Sequence, residues 1–174
     1  MFQVDLSALR EHPGQPLHLT MTGILESLRH PDEGEEEPLV PDPVRVDLQV
    51  TYLGGVYWLE GTVDGEAVLR CGRCLGKFRH PFRAGLVEKY RQGTAKDADE
   101  ETLPDGERLV LDERLREAVL LALPMRPLCR EDCRGLCPKC GKLLNEGPCA
   151  CPGEDIDPRL AKLAAVLKNA EKGV

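Results

Sequence analysis

The sequence predicts an α+β fold: an antiparallel β meander or partial barrel in the N-terminal part, then a cysteine-rich segment flanked by helices. Three observations predict it. Apolar and polar residues alternate without a break from Val44 to Tyr52. Helical periodicity is confined to the last third of the chain. Eight cysteines form four close pairs, and six of them crowd between Cys129 and Cys151.

In chain order, Phe2 to Leu6 is a candidate short strand, and Leu17, Leu19 and Met21 alternate with His18, Thr20 and Thr22 in a longer one. From residue 44 onward, Val44, Val46, Leu48, Val50 and Tyr52 share one face, with Arg45, Asp47, Gln49 and Thr51 on the other. That is the period-two pattern of a half-buried strand. Gly54-Gly55 supplies a turn into a second strand, Val56 to Val63, which carries the only tryptophan, Trp58. Asp64-Gly65 is a favoured pair for a tight hairpin, leading to a third strand over 66–70. Phe78, His80, Phe82, Ala84 and Leu86 alternate again, and Pro81 marks that strand as an edge or irregular one. Asp112 reads as an N-cap for a helix with Leu115, Val119 and Leu123 on one face, stopped by Pro124. Asp157-Pro158 opens a terminal helix whose stripe is Leu160, Leu163, Ala164 and Leu167. That stripe reads as a face docked on the body. The expected organisation is a β domain with acidic loops and a late helix over 1–123, followed by a cysteine-rich segment and terminal helix over 124–174.

Composition narrows the function classes. The chain has 174 residues, is 41% hydrophobic and has a net charge of −7, which speaks against nonspecific nucleic-acid binding by the whole surface. The N-terminus lacks an apolar run and does not read as a secretory signal, and no stretch reaches the roughly 20 apolar residues of a membrane span. A cytoplasmic, reducing location is expected, where close thiols favour metal over disulfides.

Charge is segregated. Acid collects in DEGEEE at 32–37 and DADEETLPDGE at 97–107, whereas 67–87 holds no acidic residue. That stretch carries Arg70, Arg73, Lys77, Arg79 and Arg83, and the second cysteine segment adds Arg126 and Arg130. Basic character follows the cysteines. A four-thiolate zinc site carries a formal charge of −2, which such cations offset. A phosphate-binding surface explains the same residues.

Cys137-Pro138-Lys139-Cys140-Gly141 has the form of a metal knuckle: two thiolates two residues apart curl around one ion, and the glycine closes the loop. Cys71/Cys74, Cys129/Cys133, Cys137/Cys140 and Cys149/Cys151 suffice for one or two structural Zn²⁺ ions. The favoured partition is local for one site, Cys137, Cys140, Cys149 and Cys151. The other joins Cys71 and Cys74 to Cys129 and Cys133. Its roughly seven-fold longer loop adds only about 1.7 kcal/mol of closure entropy, against the roughly 10–16 kcal/mol of structural zinc binding. A swapped partition stays open on spacing alone.

The segments CGRCLGKF at 71–78, LALPMRPLCREDCRGLCPKCGKLLNEGPCAC at 121–151 and DPRLAKLAAVL at 157–167 resemble the YceD family, the large ribosomal RNA accumulation proteins of bacteria and chloroplasts. The likeness spans the whole length and is specific in the C-terminal half. It implies a role in accumulation or processing of large-subunit (23S) ribosomal RNA and in ribosome assembly. The implied partners are large-subunit rRNA or a pre-ribosomal particle, with ribosomal or assembly proteins beside it, and neither membrane nor small-molecule substrate. The resemblance carries over no catalytic residue.

The reading is therefore a non-enzymatic zinc-binding factor, with Arg70, Arg73, Lys77, Arg79, Arg83, Arg126 and Arg130 as RNA-binding candidates. The alternative is a zinc-stabilised protein–protein module without RNA contact. Cys133-x3-Cys137-x2-Cys140 has radical-SAM spacing, but the chain is too short for that barrel and has too many cysteines around the motif. The four histidines, His12, His18, His30 and His80, are scattered outside the cysteine block.

Overall fold

The computed structural model describes residues 1–25, 28, 39–92, 101–103 and 108–151. The helix expected over 157–167 and the acidic run at 32–37 lie outside them, as does most of the run at 97–107. The chain divides into two compact units, Met1–Cys133 and Arg134–Val174.

The first unit is mostly strand, with two helices, an α+β arrangement. β1 (Gln3–Asp5), α1 (Ser7–Glu11), β2 (Leu17–Gly23), β3 (Val44–Leu53), β4 (Val56–Arg70), β5 (Lys77–Arg91), β6 (Glu101–Thr102), β7 (Arg108–Val110) and α2 (Asp112–Ala122) follow in order. β2 through β5 pair consecutively and antiparallel, while β6 adds in parallel beside Tyr90 and Arg91. β1 and β7 form a separate two-stranded ribbon.

The alternation read in β3 holds: Val44, Val46, Leu48 and Val50 are buried and meet Leu59 and Val63 of β4 and Ala84 and Leu86 of β5 in one core. Gly54 and Gly55 both take positive φ, +62° and +84°, the pair a two-residue hairpin turn of primed type requires. α2 packs on β4 and β5, with Leu115 and Val119 buried.

Asp64-Gly65 is not a turn. β4 runs unbroken through it, and Gly65 faces the core opposite Phe82. A Cβ there would sit 2.9 Å from both Phe82 Cζ and Val44 Cγ1. The glycine is present for close packing, so its turn propensity misled the sequence reading. The real hairpin end is the loop of residues 71–76, which carries the first cysteine pair.

Asp112 does not cap α2 either. Leu111 occupies the N-cap position, and Asp112 is the first helical residue. Its Oδ2 accepts the Phe2 amide at 2.8 Å, pinning β1 to the helix start, where a carboxylate also suits the helix dipole. α1 was not legible as a helix. Asp5 Oδ1 accepts from the Ser7 amide at 3.0 Å and from its hydroxyl at 2.6 Å, starting the turn locally.

Pro81 is tolerated because β5 has a partner on one side only along most of its length: among the described residues, β6 reaches just Tyr90 and Arg91. β3 reaches along β4 only to Asp64. Beyond it β4 and β5 continue together to the hairpin end. On the sheet's outward face, β5 presents Lys77, Arg79, Pro81, Arg83, Gly85, Val87, Lys89 and Arg91, with Trp58 of β4 directly opposite Lys89.

Candidate metal centres

Cys71 and Cys74 sit at the end of the β4–β5 hairpin. Cys129 and Cys133 arrive from the segment after α2, which docks through the Gly72 amide to the Pro127 carbonyl at 2.8 Å. The four sulfurs lie within 4.8 Å of one another. Cys71 Sγ is 3.8 Å from Cys133 Sγ, and Cys74 Sγ is 3.8 Å from Cys129 Sγ. A metal–sulfur bond of about 2.3 Å gives a tetrahedron with edges of about 3.8 Å, so the donors already have the shape of a tetrathiolate cage. Cys71 and Cys133 are buried, and Cys129 is exposed.

The second group, Cys137, Cys140, Cys149 and Cys151, meets the same 4.8 Å limit. Cys149 Sγ is 3.4 Å from Cys137 Sγ. Its frame is local: the Leu144 amide donates to the Gly135 carbonyl at 2.9 Å, Lys142 Nζ to the Pro148 carbonyl at 2.9 Å, and the Arg134 amide to Asn145 Oδ1 at 2.7 Å.

Both CxxC loops close with the same two backbone bonds. Leu75 N–H donates to the Cys71 carbonyl and Gly141 N–H to the Cys137 carbonyl, each at 2.9 Å. Cys71 N–H donates to the Gly76 carbonyl and Cys137 N–H to the Lys142 carbonyl, again each at 2.9 Å. The residue after the second cysteine is left-handed in both, Leu75 at φ +59° and Gly141 at φ +71°. Leucine therefore holds a conformation that glycine fills without strain in the other knuckle.

Thiol chemistry follows from this frame. Burial pushes the Cys71 thiol up, but backbone N–H groups of Cys129, Cys74 and Arg73 outweigh it and hold it down at about 6. Backbone N–H groups of Cys140 and Lys139 hold Cys137 down at about 6 as well. Loss of water around the sulfur where the cage atoms crowd it, then the neighbouring thiols, pushes Cys129 up to about 12 although the residue as a whole is exposed. Hydrogen bonding to Cys140, then burial, does the same to Cys151. Each cage favours one thiolate and opposes another, and a dication bound there would favour all four together.

The basic residues separate into two groups. Arg70, Lys77, Arg79 and Arg83 lie on the outward face of β4 and β5. Arg79 is ion-paired with Asp42, and with Glu66 at 2.9 Å, while Arg83 meets Asp64 at 2.7 Å. Arg73 instead turns to the first cage, where its Nη1 donates to the carbonyls of Glu131 at 3.0 Å and Cys133 at 2.9 Å. Arg126 and Arg130 lie in the segment leading to Cys133, and Arg130 Nε is 3.4 Å from Asp132. Trp58, Lys89 and Arg91 share that outward face and were not among the sequence candidates, although the absence of acid at every second position from Lys77 to Arg91 was visible in the sequence.

The fold and its cages define a small β-sheet protein with two closed cysteine knuckles. The chain belongs to the YceD family: the family model described as large ribosomal RNA subunit accumulation protein YceD matches residues 59–167. An uncharacterized protein of Mycobacterium tuberculosis, Rv2926c, is 33% identical over 173 residues, spanning 94% of this chain and 80% of its own. Uncharacterized protein ML1660 of Mycobacterium leprae is 34% identical over 131 residues, 72% of this chain and 59% of its own. Uncharacterized protein YlbN of Bacillus subtilis is 26% identical over 136 residues, 75% of this chain and 77% of its own. No solved structure matches the chain significantly. No helix among the described residues is long and apolar enough to cross a membrane.

Proposed function

We propose that this chain is a non-enzymatic, zinc-stabilised factor that supports accumulation and processing of large-subunit (23S) rRNA by binding precursor rRNA or an assembly particle in the cytoplasm. The observation that carries it is the pair of tetrathiol cages in a chain of the YceD family. All-sulfur tetrahedral sites suit zinc or iron–sulfur clusters, and the knuckle spacing favours zinc. Cys71, Cys74, Cys129 and Cys133 would hold one ion, and Cys137, Cys140, Cys149 and Cys151 the other. With four thiolates per ion no position stays open for water, so the zinc supplies structure rather than hydrolysis.

Arg70, Lys77, Arg79 and Arg83 on the sheet face, with Arg126 and Arg130 beside the first cage, are the cations offered to RNA phosphates. Arg73 serves the cage instead. A second reading, a protein-binding module, is favoured by Leu121 in the last turn of α2 and Met125 just after it, which are 87% and 100% exposed.

The test is sedimentation of the tagged protein from lysate at low and high salt, with rRNA probed in each fraction and metal content measured on the purified chain. Co-migration with precursor large-subunit rRNA that weakens as salt rises is the expected result. Protein found only at the top of the gradient in both salts overturns the proposal. So does a brown, iron-bearing preparation in place of a colourless one holding zinc.

A further inference from the structure

We propose that the outward face of β5, together with Trp58, is a binding site for single-stranded RNA, with Lys77, Arg79, Arg83, Lys89 and Arg91 on its phosphates and one base stacked on Trp58. This deepens the proposed function and rests on it.

The register makes the site. Successive outward positions of β5 are Lys77, Arg79, Pro81, Arg83, Gly85, Val87, Lys89 and Arg91, with no carboxylate among them. In a chain of net charge −7 that is a marked segregation of cations. At about 3.3 Å per residue the row is about 46 Å long, suited to the roughly 4–16 nucleotides that single-strand sites cover.

Trp58 lies opposite Lys89 and Thr51 in the ladder and is 41% exposed, although large aromatics usually stay covered. Beside it is a shallow hollow of about 270 Å³ lined by Gln49, Thr51, Leu53 and Glu60. Those polar groups offer donors and acceptors to a base edge at the rim of the ring. Lys89 Nζ now sits 4.5 Å from the ring centroid. An exposed cation–π contact is worth about 2- to 5-fold, whereas base stacking is worth about 5- to 150-fold, so a base displaces the ammonium, which stays in reach of the phosphate.

The carboxylates on Arg79 and Arg83 are surface partners, and exposed pairs are worth about 1- to 5-fold. Phosphate can replace them. A protein partner would gain less from this face, because a row of cations flanking one aromatic is costly to desolvate against an apolar surface.

Trp58 is the only tryptophan, so it reports on its own site. A 12-nucleotide single-stranded oligoribonucleotide titrated into the full zinc-loaded chain should quench its emission saturably. The affinity should fall with salt at a logarithmic slope of about −3.5, five phosphates at about −0.7 each. With a fluorescein-labelled oligonucleotide read by anisotropy, Trp58→Ala should bind about 10-fold more weakly and Trp58→Phe within about 3-fold of wild type. Lys77→Glu with Lys89→Glu should flatten the slope by about 1.4. Circular dichroism confirms that each variant is folded, and Lys77→Gln with Lys89→Gln replaces the reversal pair if it is not.

Salt-sensitive binding with unmoved Trp58 emission and a neutral Trp58→Ala overturns the stacking site. Absence of oligonucleotide binding while wild type still co-sediments with precursor particles overturns the site and leaves the proposed function standing. If Trp58→Ala then also leaves the particles, the face holds a protein. Failure of both experiments overturns both readings.

Discussion

Replacing Arg73 with methionine separates a cation that holds the first cage from one that holds RNA. The guanidinium spans two carbonyls, Glu131 at 3.0 Å on the surface and Cys133 at 2.9 Å in a part-buried setting. A hydrogen bond from a charged group is worth about 1.5–3 kcal/mol, and the exposed one is discounted to about 0.5 kcal/mol. The loss is then about 2 kcal/mol of support for the chain turn that presents Cys133. At about 1.4 kcal/mol per tenfold, a zinc ion in that cage would be held about 30-fold more weakly. Arg73→Lys keeps one donor and should lose about 5-fold. The assay is competition with a chromophoric chelator, which would count an ion that leaves early, alongside oligonucleotide anisotropy on the metal-loaded variant. Zinc retention within about twofold of wild type combined with lost RNA affinity refutes the cage role and returns Arg73 to the RNA-binding set.

Three further outcomes follow from the geometry. Leu75→Gly should stabilise the zinc-loaded protein by about 1 kcal/mol in urea unfolding, because Leu75 is exposed and left-handed at φ +59°; a loss of stability would mean that its side chain packs usefully. Gly61→Ala should cost about 3 kcal/mol, since its Cβ would lie 2.3 Å from the Asp47 carbonyl oxygen and β3 must move. A midpoint unchanged in urea would contradict that close approach. Burial, then Glu88 and Glu101, pushes the Tyr90 hydroxyl up to about 12. The folded state keeps that proton where the unfolded chain loses it near about pH 10. Its contribution to stability is therefore full below about pH 10 and is lost as pH rises through about 12. Ultraviolet titration should show a late tyrosinate that Tyr90→Phe abolishes, and titration curves that coincide would exclude it.

The strands were legible where alternation meets a single wet face. β3 shows this best, since its buried and exposed residues follow the sequence pattern position by position from Val44 to Val50. The knuckles were legible because CxxC spacing encodes a loop almost independently of context, and the structure draws the thiols into the two groups that spacing favoured. The failures share one physical source, that local preference yields to packing between distant residues. Asp64-Gly65 looks like a turn until Phe82 and Val44 close over the glycine. Asp112 looks like a cap until the Phe2 amide, 110 residues away, takes its carboxylate. Arg73 looks like its basic neighbours, and only the arrival of residues 131–133 shows that its Nη1 donates to two backbone carbonyls. The pairing of Trp58 with Lys89 was hidden because it requires the register of β5.

Beyond Asp64, β5 is the one strand paired with β4 among the described residues, joined on the other edge by the Val68 amide donating to the Leu39 carbonyl at 2.8 Å, and β4 and β5 continue together to Cys71 and Cys74. A two-stranded hairpin is marginal by itself in water, so its tip gains from every tie to the rest of the fold. An ion at that end would act as a clasp. Arg70, Lys77 and Arg79 stand on the stretch the clasp would keep zipped. If the first cage holds zinc and this face holds RNA, the two occupancies are thermodynamically linked: bound RNA tightens the hold on the ion by the same factor by which the ion tightens RNA. The protein would then sense metal supply through its grip on RNA, without any moving part beyond the hairpin's own tendency to open.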